Sequence, residues 1–145
     1  MRHRKSTKRL GRSSSHLKAT SASLVCGLIE ERRITTTVAK ARMTRRLAEK
    51  MVTLVRKGTL AARRQAIAFL KRTQSVDILI RDILPAMSGR QGGYTRIMKL
   101  SGRRKDSSEM AILEWVGIVA PDKKRKKKAG KGEEAAAKEA KKPDA

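Results

Sequence analysis

Aromatic residues are almost absent from this sequence of 145 residues. It has one Phe, one Tyr and one Trp, although 39% of its residues are hydrophobic. The core must therefore consist mainly of aliphatic side chains, each of which stabilises a fold by about 1.5–3 kcal/mol when fully buried. The length allows one domain with terminal extensions, but not two domains of ordinary size.

Cysteine and histidine are scarce, which argues against a metalloprotein and against most enzymes. Cys26 is the only cysteine, so an internal disulfide is excluded and a reducing cytosol is indicated. The only histidines are His3 and His16, and no zinc-ligand spacing results. Neither a phosphate-binding Walker loop nor a dinucleotide fingerprint is present. We expect a protein that is not an enzyme and has no metal, cofactor or small-molecule substrate.

Long hydrophobic runs are also missing. No apolar stretch approaches the roughly 18–20 residues that a membrane-spanning helix requires. The basic N-terminus is not followed by the apolar segment of a signal peptide. The sequence therefore predicts a cytoplasmic protein with no membrane partner.

Positive charge is abundant. There are 37 Lys and Arg residues against 13 Asp and Glu, a net charge of +24, and the first acidic residue is Glu30. Residues 1–120 alone hold 27 basic and 8 acidic residues, so the excess is not confined to the C-terminus. A field of this strength favours a polyanionic partner, and nucleic acid fits better than a membrane surface.

The composition divides the chain into three parts. Residues 1–14 are basic and nearly without large apolar groups, so we expect a disordered arm that orders only against RNA. Residues 15–120 have the apolar patterning of a single globular domain. Residues 121–145 form a Lys/Ala-rich segment, which we expect to be a disordered tail with generic affinity for polyanions.

Hydrophobic spacing in the middle part predicts about four helices and then strands. The first helix starts at the serines 13–15, the second ends at Gly58, the third holds Phe69, and the fourth ends at Pro85. Short β-branched or apolar segments at 33–38, 94–100 and 110–116 predict three strands. We expect an α+β fold in which the helices pack on a small three-stranded mixed sheet. Trp115 and Cys26 are expected in its core.

The candidate RNA contacts lie in the arm, at the start of the first helix, and around the second predicted strand. Arginine is favoured because its planar fork suits phosphate contacts and base stacking. Two questions stay open at this stage: whether Tyr94 stacks on RNA or packs at the sheet edge, and whether the helix residues Arg45, Arg46, Arg63 and Arg64 contact RNA or solvent. The predicted RNA-binding residues are Arg2, His3, Arg4, Lys5, Lys8, Arg9, Arg12, His16, Arg90, Tyr94, Arg96, Lys99, Arg103, Arg104 and Lys105.

An ordered set of short motifs resembles the bacterial large-subunit ribosomal protein L17 family over about residues 1–117. The motifs are Met1-Arg2-His3-Arg4-Lys5, Leu10-Gly11-Arg12, Ser13-Ser14-Ser15-His16, the segments 33–41 and 47–50, Gly92-Gly93-Tyr94-Thr95-Arg96-Ile97 and Met110-Ala111-Ile112. The resemblance implies a structural protein of the 50S subunit that binds 23S rRNA and supports assembly and translation. It also implies neighbouring ribosomal proteins as partners near the exit-tunnel side, with the arm as the deepest RNA-penetrating element.

Two other classes of protein compete with this interpretation. A DNA-compacting chromosomal protein would account for the tail, but not for the Arg-rich arm or the glycine-rich segment 89–93. An RNA-processing enzyme would need a set of catalytic groups, which the sequence does not offer. Co-sedimentation with large-subunit particles at high salt separates the classes, because a chromosomal protein would dissociate early.

Overall fold

The computed structural model describes residues 9–101 and 106–119 of the chain. The elements are α1 (Ser14–Glu31), β1 (Arg33–Thr37), α2 (Val38–Val55), α3 (Leu60–Leu70), α4 (Thr73–Ile78), a π-helical segment (Leu79–Ile83), α5 (Leu84–Ala86), β2 (Thr95–Lys99) and β3 (Met110–Trp115). The predicted α+β class is confirmed. The predicted tail and most of the predicted arm lie outside the described residues.

Local signals explain both ends of α1. Ser13 caps its start, because the Ser13 side chain accepts a hydrogen bond from the backbone N–H of His16 at 3.4 Å. The helix ends at Arg32, whose φ of 63° lies in the left-handed region. That conformation costs a non-glycine residue about 1–2 kcal/mol. It turns the chain within one residue, so that β1 begins directly at Arg33.

The sheet has the order β1–β3–β2, and both strand pairs are antiparallel. In the register, Thr37 lies opposite Met110 and Thr95 lies opposite Trp115. The expectation of a mixed sheet was wrong in this detail. The two edge strands run in the same direction, but β3 is inserted between them, so no parallel pair forms. Strand order depends on long-range packing, which local sequence patterns do not encode.

The core lies between the helices and one face of β3. Ala111, Leu113 and Trp115 alternate along that strand and are all buried. Trp115 is 1% exposed, and its indole N–H donates to the carbonyl oxygen of Leu28 at 2.9 Å. The prediction that Trp115 belongs to the core is therefore confirmed. This hydrogen bond ties the last strand to the middle of the first helix.

Cys26 is buried beside the end of α3. Its thiol lies 3.6 Å from the carbonyl oxygen of Leu70 and is placed to donate to it. Burial raises the pKa of the Cys26 thiol above its usual range. The thiolate is therefore disfavoured at neutral pH, which agrees with the expectation of an inert core cysteine.

Of the two later helix ends predicted from the sequence, one is found where expected and the other is not. Gly58 follows α2 with a φ of 68°, as the sequence predicts. Pro85 does not end its helix but lies inside α5, which continues to Ala86. The π-helical segment comes just before it, so the backbone has already left the i→i−4 pattern in which a proline ring clashes. Within the described residues, no helix has both the length and the apolar character needed to cross a membrane.

Replacement of Trp115 by Phe is expected to lower the free energy of unfolding by about 2–4 kcal/mol. The smaller ring leaves a cavity, and the buried carbonyl of Leu28 loses its donor. Urea unfolding followed by circular dichroism measures the change. Leu60→Ala is the control, since Leu60 is 63% exposed and its truncation should change stability by less than about 0.5 kcal/mol. Equal effects of the two substitutions would contradict this account of the core.

Candidate nucleic-acid interface

A groove with a volume of about 880 Å³ lies between α1 and α2, and we call it the α1–α2 groove. Its apolar floor comes from four parts of the chain: the segment before α1, α1 itself, α2 and the end of α3. All of the floor side chains are half-buried, so they remain open to a ligand. The apolar floor consists of Leu10, Leu17, Met43, Leu47 and Phe69.

Small polar residues set the contact between the two helices below the groove. Ser21 is buried, and its hydroxyl donates to the carbonyl oxygen of Leu17 at 2.6 Å. The same hydroxyl lies 3.6 Å from the sulfur of Met43 on α2. Thr44 is also buried, and its hydroxyl donates to the carbonyl oxygen of Lys40 at 2.9 Å. Both hydroxyls are thus satisfied within the helices, and Leu17 and Met43 are held at the floor.

Four basic side chains line the same groove and form what we call the basic rim: Lys18, Arg42, Arg46 and Lys50. The last three are spaced four residues apart and therefore project from one face of α2. All four are exposed. In the described part of the chain, no acidic side chain lies within 4 Å of any of them. Glu109, at one end of the groove, is the single acidic residue in its lining.

Several arginines elsewhere on the helices have acidic partners. Arg63 pairs with Asp77 at 2.6 Å, and Arg72 pairs with Glu30 at 3.4 Å. On α2 itself, Arg45 pairs with Glu49 at 3.3 Å. Arg64 on α3 is also exposed and, among the described residues, has no acidic partner, so free charge on the helices is not confined to the groove. The rim differs in that four such cations surround one groove.

Asp82 is the centre of one such neutralised cluster. It accepts hydrogen bonds from Arg81 at 2.9 Å and from Arg32 at 2.6 Å. These bonds, with Arg81 contributing more than Arg32, hold the pKa of the Asp82 carboxyl below its ordinary value of 3.8. The cluster ties the end of α1 to the π-helical segment, so its role in the fold is structural.

Three predicted RNA-binding residues lie where the chain enters the domain. Arg9 and His16 are exposed, while Arg12 is half-buried. The guanidinium of Arg12 donates to the carbonyl oxygen of Leu10 at 3.0 Å. Since Leu10 belongs to the floor, these residues adjoin one end of the α1–α2 groove.

The predicted residues of β2 belong to a different surface. Arg96 is exposed on the outer face of the sheet, where it and Arg33 flank Glu114 on β3 at 3.7 and 3.2 Å. Lys99, at the end of β2, and Arg90, in the loop before it, are also exposed. The structure therefore does not gather all of the predicted residues into one site.

Tyr94 needs a correction. It is only 2% exposed, and its ring is part of the core rather than open to a nucleotide base. The guanidinium of Arg56 lies 5.3 Å from the ring centroid and also donates to the carbonyl oxygen of Met87 at 2.7 Å. Of the two interpretations, packing at the sheet is the one that the structure supports. Arg56 and Tyr94 together anchor the glycine-rich loop that carries Arg90.

The remaining predicted residues lie outside the described part of the chain. They are Arg2, His3, Arg4, Lys5, Lys8, Arg103, Arg104 and Lys105. For the described residues, no group of three or more His, Cys, Asp and Glu side chains is arranged to hold a metal ion.

The sequence prediction missed the rim on α2, apart from leaving Arg46 open. A signal was available: Arg42, Arg46 and Lys50 have no acidic residue four positions before or after them, whereas Arg45 has Glu49. Spacing of this kind separates a neutralised helix face from one whose charge is free. The groove itself could not be seen in the sequence, because it forms only when α1, α2 and α3 pack together.

Comparison with known proteins gives a consistent result. The family model described as "Ribosomal protein L17" matches residues 20–116. The chain is similar to "Large ribosomal subunit protein bL17" of Fusobacterium nucleatum, with 47% identity over 80% of this chain and 100% of that protein. The protein of the same description from Methylacidiphilum infernorum is 43% identical over 87% of this chain and 96% of its own length. The one from Desulfotalea psychrophila is 46% identical over 81% and 91%.

Replacement of Asp82 by Asn tests the neutralised cluster through its pH dependence. The folded-state pKa lies below the ordinary value, so the ion pairs stabilise the protein above about pH 4. Their contribution is lost as the pH falls through the lowered folded-state pKa. We expect the variant to be less stable than the wild type in urea unfolding at pH 7, with the gap closing in acid.

Asp77→Asn is the matched control for this measurement. The Arg63–Asp77 pair is about half exposed on both sides, so its loss should cost no more than about 1 kcal/mol. If the difference in free energy of unfolding between Asp82→Asn and the wild type stayed constant from pH 7 into acid, the stabilising role of the Asp82 ion pairs would be contradicted.

Proposed function

The chain belongs to the ribosomal protein L17 family, and we propose that within the large subunit it binds 23S rRNA through the α1–α2 groove and the basic arm beside it. The observation that carries the proposal is the basic rim, four exposed cations around one groove that have no acidic partner among the described residues. In this role the chain supports assembly of the subunit and, through it, translation.

Family membership confirms several expectations from the sequence. The resemblance was correct, and the chain is a structural component of the large ribosomal subunit and not an enzyme. Its location, in the cytoplasm as part of the ribosome, follows from the same finding. The two competing classes, a chromosomal protein and an RNA-processing enzyme, are accordingly set aside.

Electrostatics supports the groove as the RNA-binding surface. Binding of a phosphate to a free Lys or Arg releases condensed counterions, and the gain in entropy drives association. An arginine that already pairs with an acid gains less, because its partner must be displaced or left facing the phosphate. The basic rim is therefore a better phosphate-binding surface than the faces that carry Arg63 or Arg72.

The position of the arm extends this surface. Residues 9–12 lie next to the groove through Leu10, so RNA that contacts the arm can continue along the rim. In the proposal, Arg9, Arg12 and His16 contact RNA at this end, and Arg2, His3, Arg4, Lys5 and Lys8 contribute further RNA contacts. Arg90, Lys99, Arg103, Arg104 and Lys105 contribute separate contacts, and Arg96 a weaker one, because it already pairs with Glu114.

Other ribosomal proteins are further partners in the proposal. The faces on which arginines are neutralised by Asp77, Asp82 or Glu30 suit neighbouring proteins better than RNA, since these arginines already have acidic partners. The family resemblance suggests that these neighbours lie near the exit-tunnel side of the subunit.

Joint replacement of Arg42, Arg46 and Lys50 by Ala tests the groove. Binding of the full chain to 23S rRNA is measured between about 50 and 200 mM salt, where phosphate contacts dominate the affinity. If all three residues contact phosphates, the slope of log affinity against log salt should decrease in magnitude by about 2–3.

The control removes the same charge from paired positions, in a variant with Arg63, Arg72 and Arg81 replaced by Ala. Its slope should stay close to that of the wild type. Equal slopes in the two variants would mean that only net charge matters, and the groove would then not be the RNA-binding surface.

A further inference from the structure

We propose that the α1–α2 groove receives one unpaired nucleotide of the RNA, with its base on the apolar floor and its phosphates on the basic rim. The inference rests on the proposed function and makes it more specific. It assigns a ligand to the apolar floor, a surface that phosphate binding alone would not use. The juxtaposition that carries it is a half-buried Phe69, with Met43 and Leu47, beside four unneutralised cations.

The floor is the feature that double-stranded RNA cannot use. An RNA duplex presents phosphates and ribose hydroxyls on its outside, and its bases are stacked and paired within it. A flat cationic face would be sufficient to bind that surface. An apolar surface between cations instead matches a ligand that is anionic on one side and flat and weakly polar on the other. An unstacked nucleotide has this character, and aromatic side chains commonly receive its base.

The size of the groove agrees with this ligand. Its volume of about 880 Å³ lies within the range of about 300–1,000 Å³ that is typical of small-molecule sites. The groove can therefore hold a base and its ribose while the phosphates stay at the rim. The paired bases of a duplex are stacked inside it, so a duplex would offer the floor no free base.

The charges predict how the nucleotide lies. Lys18, Arg42, Arg46 and Lys50 attract the phosphates, whereas Glu109 at one end of the groove repels them. The carboxylate of Glu109 can accept a hydrogen bond from an N–H of the base edge. The phosphates are thus directed along the rim on α2 and the base edge toward Glu109.

A peptide from a neighbouring protein is the other class of occupant, and the charges disfavour it. An apolar side chain could cover the floor, but the rim would then be buried with four cations that need acidic partners. RNA supplies both the base and the negative charge in one ligand. Charge complementarity therefore favours the nucleotide.

The experiment compares two RNA hairpins that differ only in one bulged nucleotide. Binding of the full chain is measured by fluorescence anisotropy at a fixed salt concentration. The bulged hairpin should bind about tenfold more tightly, the effect expected of one base stacked on an aromatic ring. Phe69→Leu keeps most of the apolar volume but removes the ring, so it should abolish this preference and leave the affinity for the paired hairpin unchanged.

Arg42→Gln is the matched control, since loss of a phosphate contact should weaken binding of both hairpins by a similar factor. Thermal unfolding followed by circular dichroism verifies that both variants fold. Equal binding of the two hairpins by the wild type would overturn the nucleotide proposal. It would also be overturned if Phe69→Leu weakened both hairpins equally or neither of them. RNA binding by the rim is tested by the salt-slope experiment, whose outcome does not depend on these results.

Discussion

The direct junction between β1 and α2 determines the geometry on which the rest of the surface depends. No loop separates Thr37, the last residue of β1, from Val38, the first residue of α2. The N–H of Val38 donates to the carbonyl oxygen of Glu109 at 3.0 Å, immediately before β3. The pairing of β1 with β3 therefore sets both the start and the direction of α2. The burial of Trp115 against α1 then places α1 beside α2, and the groove between the two helices follows.

The positions of the few acidic residues determine which basic side chains on the surface are neutralised and which remain free. With 37 basic residues against 13 acidic ones, most faces of the protein could attract RNA weakly. The acidic side chains of Glu30, Asp77 and Asp82 lie against arginines away from the groove and stabilise contacts between helices there. Among the cations that remain free in the described part of the chain, four surround a single groove and form the basic rim. Composition thus indicates the kind of partner, whereas the proposed binding surface is chosen where unpaired cations and a groove coincide.

Most of the fold was predictable from the sequence, because its signals are local. The cap at Ser13, the stop at Gly58 and the alternation around Trp115 depend only on neighbouring residues. The strand order and the groove depend on contacts between distant segments, and the sequence predicted neither of them; the strand directions, expected to be mixed, are all antiparallel. Tyr94 shows the limit most clearly, since an aromatic residue after two glycines suits a base or a core equally well. Only the packing of Arg56 and the sheet around it decides between them.

Photo-crosslinking of ribosomes in growing cells tests the central claim most directly. Mass spectrometry identifies the crosslinked residues of the chain, and sequencing identifies the attached RNA. The account predicts crosslinks from Lys18, Phe69 and the segment 42–50 to a few sites in 23S rRNA. Crosslinks confined to the faces around Arg63 and Arg72, with none from the groove, would contradict it. A spread of crosslinks over messenger RNA or chromosomal DNA would contradict it as well.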